Sequence, residues 1–314
     1  MSPTITVVVP VYNKAEYLTG ALESLIYQSE APDQIVIIDD FSNDGSYEIS
    51  KKYEELHNNI VQVYKNPKNS GVSFSRNEGI SRATSDYIMF LDADDEYQNT
   101  CIENLKFIIA QNTNENIFIT KCKYRLTRFI YPVIPNFYLR FNTNKLKYQD
   151  AHSFIPFIGG SNVAIKSSFI RENNILFNVE ENNFEDWFFY FSILIKNNLN
   201  FVLINKPLYI YTENVPGSLS KLSKNYNDIQ LPQIIELLKE YKLNKSADYV
   251  FAIWLSSALD QIKTKLDFLK FVYKYKKQIL HHLSFNKYYF IVFLKLMNLN
   301  LIITSLKKIY IGRK

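Results

Sequence analysis

Apolar residues fall in short unbroken runs and in helically spaced series, and the two patterns alternate along the first hundred positions. Ile5–Val9 is a continuous β-branched run, the mark of a strand buried on both faces. Asn13 stands where it would cap a following helix, and Leu18, Leu22, Leu25 and Ile26 then recur at helical intervals. Gln34–Asp39 reads as a second strand, Ser46–Leu56 as a helix, Ile60–Tyr64 as a third strand, Ser73–Ala83 as a helix and Asp86–Leu91 as a fourth strand. Strands alternating with helices of this length predict a doubly wound, mostly parallel α/β sheet. Further on, Ile117–Leu126, Gly160–Lys166 and Phe201–Tyr211 read as strands and Glu185–Lys196 as a helix, while Phe129–Asp150 is broken by prolines and fits neither period. Asn214–Ser220 reads as a loop. From about Asp228 strand signals stop and helical spacing takes over. The pattern predicts an α/β domain over 1–220 and an α-helical region over 221–314.

Composition narrows the class. A chain of 314 residues that is 47% hydrophobic can bury a full core, which excludes intrinsic disorder. Two cysteines, Cys101 and Cys122, cannot build a disulfide framework or a multi-cysteine zinc site. The N-terminus has no basic segment ahead of its short apolar run, so a signal peptide is not expected and a reducing cytosol is. Charge then separates the two regions. Residues 221–314 hold 17 Lys plus Arg against 6 Asp plus Glu, whereas 1–220 hold 19 against 25. A basic tail on a mildly acidic body points to an anionic partner for the tail.

In open α/β sheets ligands bind beyond the carboxyl ends of the strands, and there the acidic residues gather. Asp92-Ala93-Asp94-Asp95 follows the fourth strand. In an extended segment residues i and i+2 share a side, so Asp92 and Asp94 would face one ligand. Their mutual repulsion asks for a hard divalent cation with substrate phosphates. The plainer alternative is a solvated turn capping the next helix. Asp39-Asp40 ends the second strand; a carboxylate there would accept a base N–H or a ribose hydroxyl, or else the stretch is an Asx-turn and cap built on Ser42 or Asp44. A phosphoacceptor receiver domain also joins an acidic pair, a later Asp and a Lys such as Lys121, but its pair follows the first strand and its chain is much shorter.

Five stretches taken together resemble the family 2 glycosyltransferases, which have the GT-A fold. They are Val7–Asn13 (VVVPVYN), Ile38–Ser46 (IDDFSNDGS), Asn69–Ile80 with its SRNEGI, Phe90–Asp95 (FLDADD) and Phe184–Trp187 (FEDW), in the family's order. The resemblance implies a nucleotide-diphospho-sugar transferase of the bacterial surface-polysaccharide type, with UDP-sugar as donor and Mn2+ or Mg2+ as cofactor. It implies that Pro10 and Tyr12 hold the base, that Asp40 accepts the uracil N–H, and that Arg76 and Asp92 lie against the nucleotide. Asp94 would ligate the metal. Asp186 would be the general base of a single inverting displacement, with Glu185 the alternative base. The other class open to the same fold is a catalytically silent binding or scaffolding domain, against which the intact Asp92, Asp94 and Asp186 argue. One departure stands out. Relatives carry a basic residue after the last strand that closes on the diphosphate, and here Tyr211–Ser218 has no Arg or His; Lys221 or Lys224 are the nearest substitutes. His57, His152, His281 and His282 match no motif. Gly159-Gly160-Ser161-Asn162 reads as a close backbone approach to ligand or as a plain turn.

Residues 261–314 carry 12 basic residues and a single acid, Asp267, around an apolar run from Tyr288. Lys295, Asn298, Asn300, Lys307 and Lys308 interrupt it, so a span of about 20 apolar residues is not reached. Two readings follow: a helix at an anionic membrane surface beside a lipid-linked acceptor, or a packed helical appendage serving as a homo-oligomer contact. There is no nucleic-acid recognition motif. The expected location is the cytoplasm, peripheral on the inner face of the cell membrane.

Overall fold

The structure is a computed structural model that describes residues 2–126, 129–131, 145–147, 160–181, 184–213, 215, 231–241 and separate helical positions from 247 to 278. It divides into two compact units, Met1–Gly217 and Ser218–Lys314.

The first unit is built on one ten-stranded mixed sheet. Strands β1 (Ile5–Val11), β2 (Gln34–Asp39), β3 (Val61–Lys65) and β4 (Tyr87–Phe90) alternate with helices α1 (Ala15–Ile26), α2 (Ser46–Leu56) and α3 (Val72–Arg82). After β5 (Glu96–Tyr97) and α4 (Cys101–Gln111) come β6 (Ile117–Leu126), β7 (Phe129–Tyr131), β8 (Lys145–Lys147), β9 (Val163–Lys166), α5 (Ser167–Glu172), α6 (Glu185–Lys196) and β10 (Asn200–Glu213). The main path runs β3-β2-β1-β4-β9-β6-β10-β5, with β7 on β6 and β8 on β10. The first four strands are parallel, and so are β6 and β10, whereas β9 runs antiparallel to both β4 and β6. The sheet therefore reverses direction beside β4, the strand that ends in the acidic turn.

Both faces of the sheet are covered, which is why its strands read as unbroken apolar runs. Ile5, Val7, Val9 and Val11 of β1 point into one core with Leu18, Leu22 and Leu25 of α1 and Ile102, Leu105 and Ile109 of α4. Val8 points the other way, with Val36 and Ile38 of β2, into a core closed by Ile80, Ile170 and by Phe189, Tyr190, Ile193 and Leu194 of α6. Gly79 of α3 lies so close to β1 that a Cβ there would sit 2.1 Å from Val8 Cγ1. Its place in the SRNEGI stretch is thus a packing requirement.

Three sequence expectations change. Asn13 does not cap α1: it has φ +50, and the residue before the helix is Lys14, with no side-chain cap. Its Oδ1 instead accepts the Asn43 N–H at 2.9 Å. The acceptors for this helix start come from the next loop, with Ser42 Oγ on Asn13 N, Ser46 Oγ on Lys14 N and Asp44 Oδ2 on Ala15 N. Second, Asp92–Asp95 is not extended; the Asp95 N–H returns to the Asp92 carbonyl at 2.9 Å and closes a tight turn. Third, the strand read over 160–166 begins only at Val163, because Gly160 takes φ +48 in a turn.

In the second unit α7 (Ile234–Glu240) buries Ile234, Ile235 and Leu238. Ala247, Val250, Phe251 and Trp254 are buried at helical spacing, as are Phe271 and Tyr275. Trp254 packs 4.9 Å from Tyr275 and 5.8 Å from Phe271, ring centre to ring centre. The loop read over 214–220, apart from Val215, most of the stretch 129–150, Lys221, Lys224 and the run from Tyr288 lie outside the described residues. Among the described residues no helix is long and apolar enough to cross a membrane.

Candidate active site

The turn after β4 sorts its three aspartates by burial and partner. Asp95 is buried, 1% exposed. The Tyr209 hydroxyl donates to its Oδ2 and the Thr212 N–H to its Oδ1, so it ties the turn to β10. Burial holds its carboxyl well above the usual range, and Asp92 adds to that. Asp92 and Asp94 remain partly open. Asp92 Oδ1 accepts from Arg76 Nη2 at 2.8 Å, and Asp94 Oδ2 accepts from Lys14 Nζ at 2.7 Å. Burial also raises the Asp94 carboxyl, with Asp92 as the second cause, and Lys14 only partly reverses this. Each of the two carboxylates thus meets a cation through one oxygen.

Behind Asp92 the backbone comes close. Its N–H donates to Ser161 Oγ at 3.0 Å, and a Cβ on Gly160 would stand 3.2 Å from Asp92 Oδ2. The Tyr190 hydroxyl donates to the Gly160 carbonyl at 2.5 Å, so α6 holds this turn against the acidic one. The close approach read from Gly160 is therefore made to Asp92.

Arg76 connects these parts. It is 4% exposed, and its two terminal nitrogens reach Asp92 and Glu185 (Nη1 to Oε1, 3.1 Å). Its guanidinium lies 5.1 Å from the Phe177 ring centre. Burial works against the charged form, but Asp92 and Glu185 outweigh it and push its pKa up. Glu185 and Asp186 open α6 in its first turn, a position the helix dipole favours for acids. With Glu185 on Arg76, the neighbouring Asp186 has its Oδ1 on the Trp187 N–H at 2.7 Å. Burial, reinforced by Glu185 and opposed by Arg76, pushes the Asp186 carboxyl up to about 7.

At the ends of β1 and β2, Pro10 is buried and Tyr12 is 46% exposed. Asp40 is buried and engaged: Oδ1 accepts from Asn66 Nδ2 at 2.8 Å and Ser70 N at 2.9 Å, and Oδ2 from Gly71 N at 2.7 Å. Asp39 accepts the Ser42 N–H on Oδ2, while its fully buried Oδ1 has no partner. Of the plainer reading of this loop the turn holds, since Asp44 Oδ1 accepts the Ser46 N–H at 3.0 Å, but α2 starts after Gly45 with no side-chain cap, and Ser42 and Asp44 serve the start of α1 instead. Of the residues singled out in the sequence, Arg76, Asp92, Glu185 and Asp186 lie together, with Asp94 in the same turn as Asp92. Lys14, Tyr190 and Phe177 carry no pattern of their own and are recruited only by the fold, whereas Ser161 lies in the glycine stretch already singled out.

A ten-stranded GT-A sheet with an acidic turn at its reversal point and a second acidic pair on a facing helix defines the class. Residues 6–172 match the Glycosyl transferase family 2, and the chain belongs to that family; α6 lies beyond the matched stretch. It is similar to a putative teichuronic acid biosynthesis glycosyltransferase of Bacillus subtilis, 33% identical over 111 residues, which are 35% of this chain and 44% of that protein. The chain thus spans less than half the length of that relative. Its fold is similar to that of Staphylococcus aureus TarS residues 1–349, solved with UDP-GlcNAc (TM-score 0.66, 20% identity, 89% of this chain and 79% of that one). It is also similar to a mannosyltransferase of Pyrobaculum calidifontis solved with GDP-Man and Mn2+ (TM-score 0.57, 17% identity, 94% and 84%).

Proposed function

We propose that this chain moves a sugar from a nucleoside diphosphate, most simply UDP, to a hydroxyl of a glycan or lipid-linked acceptor, with inversion, in the assembly of a bacterial surface polysaccharide. Such a role places it in the cytoplasm at the inner face of the membrane. The observation that carries the reading is Arg76, buried between Asp92 at the end of β4 and Glu185 at the start of α6. That pairing brings Asp186, whose carboxyl burial and Glu185 push up to about 7, to the same edge as the acidic turn. In the transfer, the acceptor oxygen bonds to the anomeric carbon as the bond from that carbon to the diphosphate breaks. Asp186 takes the hydroxyl proton, and the leaving group departs on the opposite face. A base is most effective when its pKa lies near the working pH.

Among the described residues no group of three or more His, Cys, Asp or Glu side chains is gathered to hold a metal ion. Two carboxylates with diphosphate oxygens nevertheless fit a hard cation, Mn2+ or Mg2+. Asp92 would hold it through the oxygen that Arg76 does not take, and Asp94 through its carboxylate. When bound, it supplies neutralisation of charge on the departing diphosphate. Pro10 and Tyr12 would flank the base, and Asp40 would accept its N–H through the remaining lone pair on Oδ2; the orphaned Asp39 Oδ1 is a second acceptor at the same edge. Calorimetry with UDP, with and without Mn2+, on wild type and Asp94→Ala tests the site. The expected result is that Mn2+ tightens UDP binding in wild type alone; equal affinity in all four conditions refutes it. A UDP-release screen across donor sugars then identifies the substrate.

A further inference from the structure

Tyr211–Ser218, the stretch in which the family resemblance implies a basic partner for the diphosphate, has neither Arg nor His. The fold offers another cation. Lys14 precedes α1, and its Nζ lies 2.7 Å from Asp94 Oδ2 with only 13% of the side chain exposed. Its main chain is fixed on both sides. The Lys14 N–H donates to Ser46 Oγ at 2.9 Å, and its carbonyl accepts the N–H groups of Tyr17 and Leu18 at 2.9 Å. Asn13 and Ala15 are held likewise by Ser42 and Asp44. The ammonium is thus carried on a four-carbon stem from a fixed main chain, with Asp94 within its reach.

Arg76 cannot do the same work. Its fork is shared between Asp92 and Glu185 and its guanidinium is buried, so leaving them would strand two carboxylates. Lys14 is a compact point charge with rotatable donors, suited to phosphate. It also holds a carboxylate that a divalent ion would use. An ammonium and a divalent ion on one carboxylate repel each other, so the ion displaces the ammonium or is itself kept off.

We propose that Lys14 is a mobile counter-cation: it occupies Asp94 while the site is empty, opposes metal entry in the absence of nucleotide, and passes to the diphosphate when metal and nucleotide arrive together. This rests on the reading of Asp92 and Asp94 as the diphosphate site. It makes metal binding depend on donor binding, and it supplies a basic partner for the diphosphate from the start of α1.

The test uses the full chain, wild type, Lys14→Met and Lys14→Arg, with each fold checked by thermal melting. Mn2+ alone is titrated by its free-ion paramagnetic resonance signal, and UDP and UMP are titrated by calorimetry at saturating Mn2+. Lys14→Met should bind Mn2+ alone more tightly than wild type and should bind UDP about 10- to 100-fold more weakly, the loss of one hydrogen bond between charged groups. UMP should change much less. Lys14→Arg keeps the charge and should resist Mn2+ as wild type does. Opposite signs for metal alone and for UDP are the result that a purely structural lysine does not give. If wild type binds UDP with Mn2+ but Lys14→Met matches it in both titrations, or moves both in one direction, the proposal is overturned while the site reading survives. If wild type binds no UDP under any condition, the site reading falls and the proposal falls with it.

Discussion

Asp186 is a carboxyl kept between two pressures. Burial and Glu185 push it up to about 7 against the pull of Arg76, which suits a proton acceptor working at neutral pH. Asp186→Asn should lower transfer by about 100- to 10,000-fold, the usual worth of a general base, and leave UDP affinity unchanged. In wild type, kcat/KM should rise with pH and level off above about 7. Stability should move the other way. A folded-state value above the ordinary 3.8 means that the folded chain holds a proton the unfolded chain has released. Ionising Asp186 therefore costs stability as pH rises from about 4 to 7. Asp186→Asn removes that cost, so its advantage in melting temperature should be absent at low pH, grow across this window and stay constant above it. Glu185→Gln should behave differently, since Glu185 is the partner of Arg76. It should lower stability at neutral pH by weakening one half of the buried bridge, with a milder loss of transfer. If Asp186→Asn turns over like wild type while Glu185→Gln is dead, Glu185 is the base.

At the scale of elements, the site depends on α3 lying directly on β1. Gly79→Ala would drive a methyl into the Val8 side chain, and because that branched side chain is itself fully buried the strain should cost about 1–3 kcal/mol, read by urea unfolding. α3 also carries Arg76, so a shift of this helix should weaken UDP binding too; unchanged stability would mean that α3 has room to slide. The elements around this contact were the legible ones. Buried parallel strands must be apolar on both faces, so β1, β2 and β4 stand out as runs, and α1, α2, α3 and α6 as amphipathic or flanking helices. Less legible were β5, with two residues, and α5, with six, too short to show a period. The helix start at Asn13 misled for a physical reason: its capping acceptors come from Ser42, Ser46 and Asp44, some thirty residues on, and local spacing carries no trace of them. The same applies to the site. Carboxylates at strand ends are visible in the chain, but that Asp95 is a brace and Arg76 a bridge follows only from which neighbours the folded sheet gives them.

At the scale of the whole molecule, charge and aromatic packing divide the labour. The second unit carries the basic excess, and its described helical positions form an aromatic cluster around Trp254, which is fully buried. The chain has two tryptophans, Trp187 in α6 and Trp254, so single-tryptophan variants report each unit separately. Phe251, Trp254, Phe271 and Tyr275 are spent on packing, and the stretch from Asn286 onward is the part we propose meets a membrane. Its lysines and the apolar run from Tyr288 should hold the enzyme to anionic vesicles. Each basic residue near such a surface is worth about 1 kcal/mol, within a Debye length. Binding should weaken with salt and keep a salt-resistant remainder from inserted aromatics. Cutting the chain before Asn286 should reduce sedimentation with anionic vesicles and slow transfer to a lipid-linked acceptor. Donor hydrolysis by water should be nearly unchanged, since the carboxylates and Arg76 all lie in the first unit. Trp254 emission should stay blue-shifted in the truncated chain, because its cluster partners Phe251, Phe271 and Tyr275 are retained. If full-length and truncated chains both remain in the supernatant at low salt, the tail does not bind membrane. If truncation reddens Trp254 emission or changes the oligomeric state, the tail belongs to the packed helices instead.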